Sequence, residues 1–267
     1  MALLLPVVLI EAVANSPVLQ PAPSSLNTNM TNTVQVNTLI ILAAQNTSSI
    51  SEESISDFIF ERGSHPYNIT YPDWTAKWWQ WAYSVPKDRN PAYDDTGKYC
   101  SENQKTPVWF LTLSFGHTVT RTCDIPNNTA LLATLLNSEC SYAENTRLTN
   151  ESELKNCAKA QQDHVIYPMA SLNGIEIPNL ENYRIQSDLF NITLPANNIL
   201  GLPAQTTQAV SDGNWLFLKP LPVGRYELKL KANIGDSFIN DKENGSSFAF
   251  AGPVGWNYTA TYILTVK

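Results

Sequence analysis

Apolar and polar residues alternate with the two-residue period of a half-buried strand at several places along the chain. Over residues 225–231, Tyr226, Leu228 and Leu230 fall on one face, and Arg225, Glu227, Lys229 and Lys231 fall on the other. A second alternating run covers residues 258–266. Residues 107–114 and 117–124 are short β-rich runs separated by Phe115-Gly116, which predicts a hairpin. Residues 165–172 and 175–177 flank Asn173-Gly174, a pair that tolerates positive φ at both positions, and predict a second hairpin. Two further runs, 191–194 and 214–218, also read as strands.

Three segments break this pattern with a helical period. In Asp73-Trp74-Thr75-Ala76-Lys77-Trp78-Trp79-Gln80-Trp81, four of the chain's seven tryptophans fall within eight residues. A helix there puts Trp74, Trp78 and Trp81 on one face and turns Trp79 away from it, with Asp73 as N-cap and Pro86 as stop. Residues 128–136 predict a second helix, and residues 150–163 a third. In the third, Asn150 with Glu153 approximates a capping box, and Leu154, Cys157 and Ala158 share a face. Many short strands with few helices predict a mainly β fold, a jelly-roll-like antiparallel β-sandwich with about three short helices, formed by residues 58–267 as one domain.

The N-terminal part differs in character. Residues 1–14 read as a signal peptide, an apolar run from Leu3 to Ile10 followed by Ala12-Val13-Ala14, although the first basic residue of the chain is Arg62. Residues 15–57, rich in Ser, Thr, Asn and Pro, read as a flexible leader or stalk whose apolar island at 39–44 can add an edge strand. No run approaches the roughly 20 apolar residues needed to span a bilayer, so no permanent membrane span is expected.

Composition narrows the partners. With 43% hydrophobic residues the chain can build a core, and a net charge of −7 gives no reason to expect nucleic acid or an anionic membrane, so neutral or cationic partners are expected. Eight Asn-x-Ser/Thr sequons, at Asn29, Asn46, Asn68, Asn127, Asn150, Asn191, Asn244 and Asn257, suit a secreted glycoprotein. The four cysteines, Cys100, Cys123, Cys140 and Cys157, allow three pairings. Sequential pairing, which closes two modest loops, is favoured.

An ordered string of motifs resembles a widespread family of secreted archaeal and bacterial proteins with no assigned activity. These are Trp74-x3-Trp78-Trp79-Gln80-Trp81 followed by Pro86 and Asn90-Pro91, then Asp95-Thr96-Gly97-x2-Cys100, Pro107-Val108-Trp109-Phe110-Leu111 and Arg121-x-Cys123-x-Ile125-Pro126, and finally Asp212-Gly213-x-Trp215-x-Phe217-Leu218-x-Pro220-Leu221-Pro222-x-Gly224. The resemblance covers about residues 70–267. It implies secretion and a single domain, and it transfers no catalytic residue. After Pro-Leu-Pro-x-Gly the family often carries a His where Arg225-Tyr226 stands here, so a metal role for that His does not carry over.

The tryptophan helix has two readings: a core element whose rings each bury apolar area worth roughly 2–3 kcal/mol, or a stacking platform for sugar faces. On the second reading Trp74, Trp78, Trp79 and Trp81 supply rings, Lys77 and Gln80 reach hydroxyls, and Trp79 is the solvent-accessible ring. Trp109 and Trp215 read as core. Arg121, between Thr120 and Thr122, is either outward and solvated or inward and paired with a carboxylate such as Asp95 or Asp212. The three histidines, at 65, 117 and 164, have no metal-ligand spacing, so no metal and no cofactor are expected. Asp94-Asp95 and Asp241-x-Glu243 read as polar turns rather than calcium loops. Asp212 and Glu227 are the first guesses for a glycosidic acid pair, though Asp212-Gly213 reads more simply as a turn.

The expected function is therefore a secreted or cell-surface protein that binds a glycan or another envelope component without catalysis. A glycan-acting hydrolase or lyase and a structural envelope protein are the alternatives. An exposed row of tryptophans without convergent acids favours binding, and two carboxylates roughly 5–10 Å apart in a cleft favour hydrolysis. Complete burial of the tryptophans favours the structural role.

Overall fold

The structure is a computed structural model that describes residues 52–114, 117–235 and 257–267. The leader through residue 51, the Phe115-Gly116 turn, the Asp241/Glu243 cluster and the sequons at Asn29, Asn46 and Asn244 lie outside the described residues.

The fold is mainly β, with ten strands in two sheets and two α-helices among the described residues. In chain order the elements are α1 (Tyr71–Ser84), β1 (Val108–Leu111), β2 (Thr118–Ile125), β3 (Ala130–Ser141), α2 (Glu151–Gln162), β4 (Val165–Leu172), β5 (Ile175–Glu176), β6 (Arg184–Gln186), β7 (Phe190–Leu194), β8 (Gln205–Leu218), β9 (Gly224–Ile234) and β10 (Asn257–Val266). The first sheet runs β1-β3-β8-β6, with β7 also on β8; the second runs β2-β10-β9-β4-β5. Two pairs, β1 with β3 and β2 with β10, are parallel, a departure from the all-antiparallel pairing expected.

The second sheet is wet on one face, as its period demands. In β9, Tyr226, Leu228, Leu230 and Ala232 are buried while Arg225, Glu227 and Lys229 are exposed. Those buried residues share a core with Leu131, Ala133, Leu216 and Leu218 of the first sheet. The first sheet is buried on both faces: residues 209–218 of β8 are all buried, with Leu216 and Leu218 in the core shared with the second sheet, Ala209, Trp215 and Phe217 in the core under α1, and Val210 against α2. The resulting layers are helix, sheet, sheet.

Three local expectations need correction. Residues 128–136 form a strand rather than a helix: Leu131, Leu132 and Ala133 are inaccessible on both sides, and an all-apolar run inside a two-sided sheet has no helical signature to distinguish it. Residues 107–114 and 117–124 do not form a hairpin, because β1 pairs with β3 in one sheet and β2 with β10 in the other. The packed unit also begins before residue 58, since Ile55 is buried in the core and Ile59 bridges to Leu218. The second hairpin stands as expected, with Ser171 opposite Glu176 and with Asn173 and Gly174 at φ 51° and 79°.

Two disulfides join Cys100 to Cys123 and Cys140 to Cys157, the sequential pairing. The first ties the loop after α1 to β2, and the second pins α2 to β3. Gly97, at φ 89°, sits so close to β2 that a Cβ would lie 2.3 Å from the Thr122 carbonyl oxygen. Thiol titration of the denatured, unreduced chain should find no free thiol. Reduction should then lower the unfolding free energy by about 3 kcal/mol per bridge, read by urea denaturation with and without reductant.

Candidate functional site

Helix α1 organises the chemistry. Thr70 caps it, its hydroxyl accepting from the Asp73 amide at 3.2 Å, so Asp73 stands in the first turn where its charge suits the helix dipole and is not itself the cap. Val85 is extended at the C-terminus, as Pro86 requires. Phe217 of β8 makes edge contacts with Tyr71 and Trp74, while Trp78 sits edge-on to Trp215 at 5.4 Å. Three indoles spend their N–H on backbone carbonyls: Trp74 on Pro66, Trp78 on Leu111 and Trp81 on Glu102.

All six described tryptophans are buried, Trp79 included at 6% exposure. The solvent-accessible Trp79 expected from the helical wheel is therefore corrected: its ring packs between Trp78 and Tyr83, at 5.0 and 5.2 Å.

The two flanks of α1 line different spaces. On one side Trp74, Trp81 and Phe110 floor an open pocket of about 540 Å³. Lys77, Gln80, Ser84, Asn103 and Lys105 rim it, and no Asp or Glu lines it. Among the described residues, neither lysine forms an ion pair. Gln80 is anchored by its amide nitrogen, which donates to the Asn191 carbonyl at 3.0 Å. The other flank, with Trp78, Trp79 and Ala82, faces a small cavity against β3.

Between α1 and the first sheet runs a strip of buried polar groups that the sequence reading missed. Its origin is a bulge in β3: Thr134 pairs with Trp215, yet Asn137 pairs with Gly213, so β3 carries one extra residue, with Leu136 at φ 68°. Asn137 lies across Gly213, where a Cβ would fall 2.2 Å from the Asn137 Cγ. Gly213 is thus a mid-strand glycine that admits a side chain, and the Asp212-Gly213 turn expected from sequence is corrected. Two residues on, Glu139 accepts from the Tyr83 hydroxyl at 2.6 Å. Burial, reinforced by Glu144 nearby, pushes the Glu139 carboxyl well above its ordinary range and favours the neutral acid. Burial raises the Tyr83 phenol as well, with Glu139 adding to it. The alternation of Asn137, Glu139 and Ser141 was the available signal, hidden while the segment before it read as helix.

The remaining expected site residues lie elsewhere. Arg121 is inward and only 1% exposed, but neither Asp95 nor Asp212 is its partner. Its Nε donates to the Asp94 carbonyl at 2.6 Å, and its Nη1 to the Thr112 carbonyl and the Tyr262 hydroxyl at 3.0 and 2.8 Å. Nη2 reaches the Ala92 carbonyl, and the guanidinium lies 5.5 Å from the Tyr262 ring centroid. It is a tie between backbone segments. Asp95 pairs with His117 at the surface, and the Asp94 carboxylate is spent on Thr96 and Tyr99, hydrogen bonds that outweigh its desolvation and lower it. Asp212 receives two hydrogen bonds from Arg184, at 2.9 and 3.0 Å. Glu227 is exposed on the other sheet, so the two guessed acids do not converge. Among the described residues no group of three or more His, Cys, Asp or Glu could hold a metal ion, and no helix is long and apolar enough to cross a membrane. The sequon residues Asn68, Asn127, Asn150 and Asn191 are exposed.

Comparison with known proteins adds little. No family model and no curated protein matches the chain. One solved structure, titled "Structure of PbICP-C in complex with falcipain-2", contains a similar chain at 11% identity and a TM-score of 0.23, covering 59% of this chain and 98% of that one. A likeness this distant carries no argument.

Replacing Arg121 by Leu should cost at least ~3 kcal/mol in denaturant unfolding, because several buried carbonyls lose their donor together. For Glu139 the sign follows from its raised folded value: the folded state holds the proton more tightly, so this group's contribution is fully present below its ordinary value of 4.5 and is lost as pH rises through the folded value. Glu139→Gln should therefore flatten the decline in melting temperature between mildly acidic and mildly basic pH. An unchanged slope would show that Glu139 ionises freely.

Proposed function

We propose that this chain is an extracellular, non-catalytic recognition module that binds an acidic saccharide or a similar anionic component of a cell envelope at the pocket beside α1. The fold reading that goes with it is a β-sandwich with a helix laid on one outer face. The observation that carries the reading is the pocket's composition: two lysines without an acidic partner, with amides and a hydroxyl, over an aromatic floor and with no carboxylate on its wall. A saccharide offers C–H faces to such a floor and hydroxyls to such a rim, and an attached carboxylate or sulfate would meet Lys77 and Lys105. Two disulfides support an oxidising compartment, and four exposed sequon asparagines support a glycosylated surface. The lack of an acid in the pocket, and the separation of Asp212 from Glu227, weigh against the hydrolase alternative.

The burial of every described tryptophan supports a second reading, a structural envelope component in which α1 is purely core. Binding separates the two. Titrating the full chain with uronate-containing and matched neutral oligosaccharides, read by intrinsic tryptophan fluorescence, should give saturable change with the acidic series that weakens as salt is added. Lys77→Ala should weaken that binding about tenfold, or ~1.4 kcal/mol, with an unchanged melting temperature. No saturable change with any member of the panel would overturn the recognition reading in favour of the structural one.

A further inference from the structure

The outer face of the second sheet carries chemistry that the pocket beside α1 does not use. Every second residue of β2, β10 and β9 points away from the core there, and the strand registers set those side chains in rows. Thr118 lies beside Thr259 and Lys231, Thr120 beside Thr261 and Lys229, Thr122 beside Ile263 and Glu227, and Asp124 beside Thr265 and Arg225. Met169 and Ser171 of β4 extend the first two rows. Rows follow one another at ~7 Å along the strands, and neighbours within a row stand ~5 Å apart. The face thus presents two columns of threonine hydroxyls next to one column that holds three cations.

Opposite charges set across from one another are a common way for a sheet to stabilise such a face. Here no acid stands across from any of the three cations: Arg225 faces Thr265, Lys229 lies between Thr261 and Ser171, and Lys231 between Thr259 and Met169. Among the described residues none of the three forms an ion pair, and none of the six threonine hydroxyls has a hydrogen-bond partner in the protein. The acids of the face are Glu227 in the same column, Asp124, which pairs with Lys267 at 2.6 Å, and Glu176 on β5, beyond Ser171. In a chain of net charge −7 the β9 column is therefore a locally cationic strip. Lys229 and Lys231 stand ~7 Å apart and Arg225 ~13 Å from Lys229, a linear array that suits a linear partner with repeated anionic groups. The hydroxyl columns beside it, with Ile263 and Met169 as apolar rests, suit hydroxylated rings between those groups. In the helix, sheet, sheet order the pocket beside α1 lies on the outer side of the first sheet, so the two surfaces face opposite ways.

We propose that this face is a second binding surface, taking an extended anionic polysaccharide, so that the chain bridges two polymer strands when the pocket holds one as well. The surface stands on its own residues, and only the bridging rests on the reading of the pocket. The test uses the full chain and polygalacturonate, with dextran as the neutral polymer and trigalacturonate as a short ligand for the pocket. A Lys77→Ala chain, its pocket weakened, should still be retarded in a gel containing polygalacturonate and not in one containing dextran. Adding Arg225→Gln, Lys229→Gln and Lys231→Gln should weaken that retardation about tenfold without shifting the melting temperature, since all three side chains reach solvent. The parent mixed with long polymer at intermediate ratios should scatter light, and chains lacking either surface should not. The proposal is overturned if the Lys77→Ala chain is not retarded, if the three substitutions change nothing, or if dextran retards it equally. It is also overturned, in favour of a lipid surface, if phosphatidylglycerol vesicles engage the three residues and polygalacturonate does not. Scattering absent while both surfaces bind overturns the bridging. Trigalacturonate titrated against tryptophan fluorescence reports the pocket separately: that signal without retardation of Lys77→Ala leaves the pocket alone, and retardation without that signal leaves the sheet face alone.

Discussion

The whole arrangement depends on a sheet with no solvent face. Residues of β3 and β8 point alternately into two cores, so the first sheet stays in water only at a large penalty unless something covers its second face. The tryptophans of α1 are that cover. Large flat rings bury more apolar area per residue than any aliphatic side chain, and Trp74, Trp78 and Trp79 each meet another ring edge-on rather than relying on shape alone. Their density in the sequence follows from one helix having to cover most of that face.

A cover built of indoles brings a second constraint, since every indole carries an N–H that must be satisfied. Trp74, Trp78 and Trp81 reach backbone carbonyls at the helix margins. Trp79 and Trp215, nearer the middle, have none within reach. The sheet beneath responds with polar residues of its own, Thr134, Asn137, Glu139 and Ser211, where an apolar row would pack more simply. The strip therefore keeps buried polar groups without partners in the protein, a cost that the ring contacts of α1 and the apolar cores on either side offset.

How much of this was legible in the chain depends on which residues are asked. The alternation of β9, the Asn173-Gly174 hairpin, the tryptophan helix and the sequential disulfides were readable because each is a local signal: a period, a turn pair or a spacing. The strand at 130–141 was not, because a strand buried on both faces loses its period and an apolar run alone does not choose between helix and strand. The hairpin placed across residues 115–116 failed for a topological reason, as its two arms enter different sheets. For Arg121 the chain left an outward and an inward placement open, and the inward one holds with other partners, carbonyls 8 to 29 residues away and the Thr112 and Tyr262 hydroxyls, which composition does not reveal. Lys77 and Gln80 were placed beside one another by the helical period alone, and the structure adds Lys105 and Phe110 from a loop and strand that no spacing rule connects to them.

The two spaces flanking α1 also differ in what each asks of the protein. The open pocket needs only that Lys77 and Lys105 stay hydrated and available, a condition the acid-free wall meets without strain. Beside the inner cavity, β3 carries a bulge with Leu136 at positive φ, and β8 a mid-strand glycine across which Asn137 lies. Both are framed by one helix whose rings lock into the sheet. A wall held this way loses little freedom when a group settles on it, so the open pocket is preorganised for the binding proposed for it.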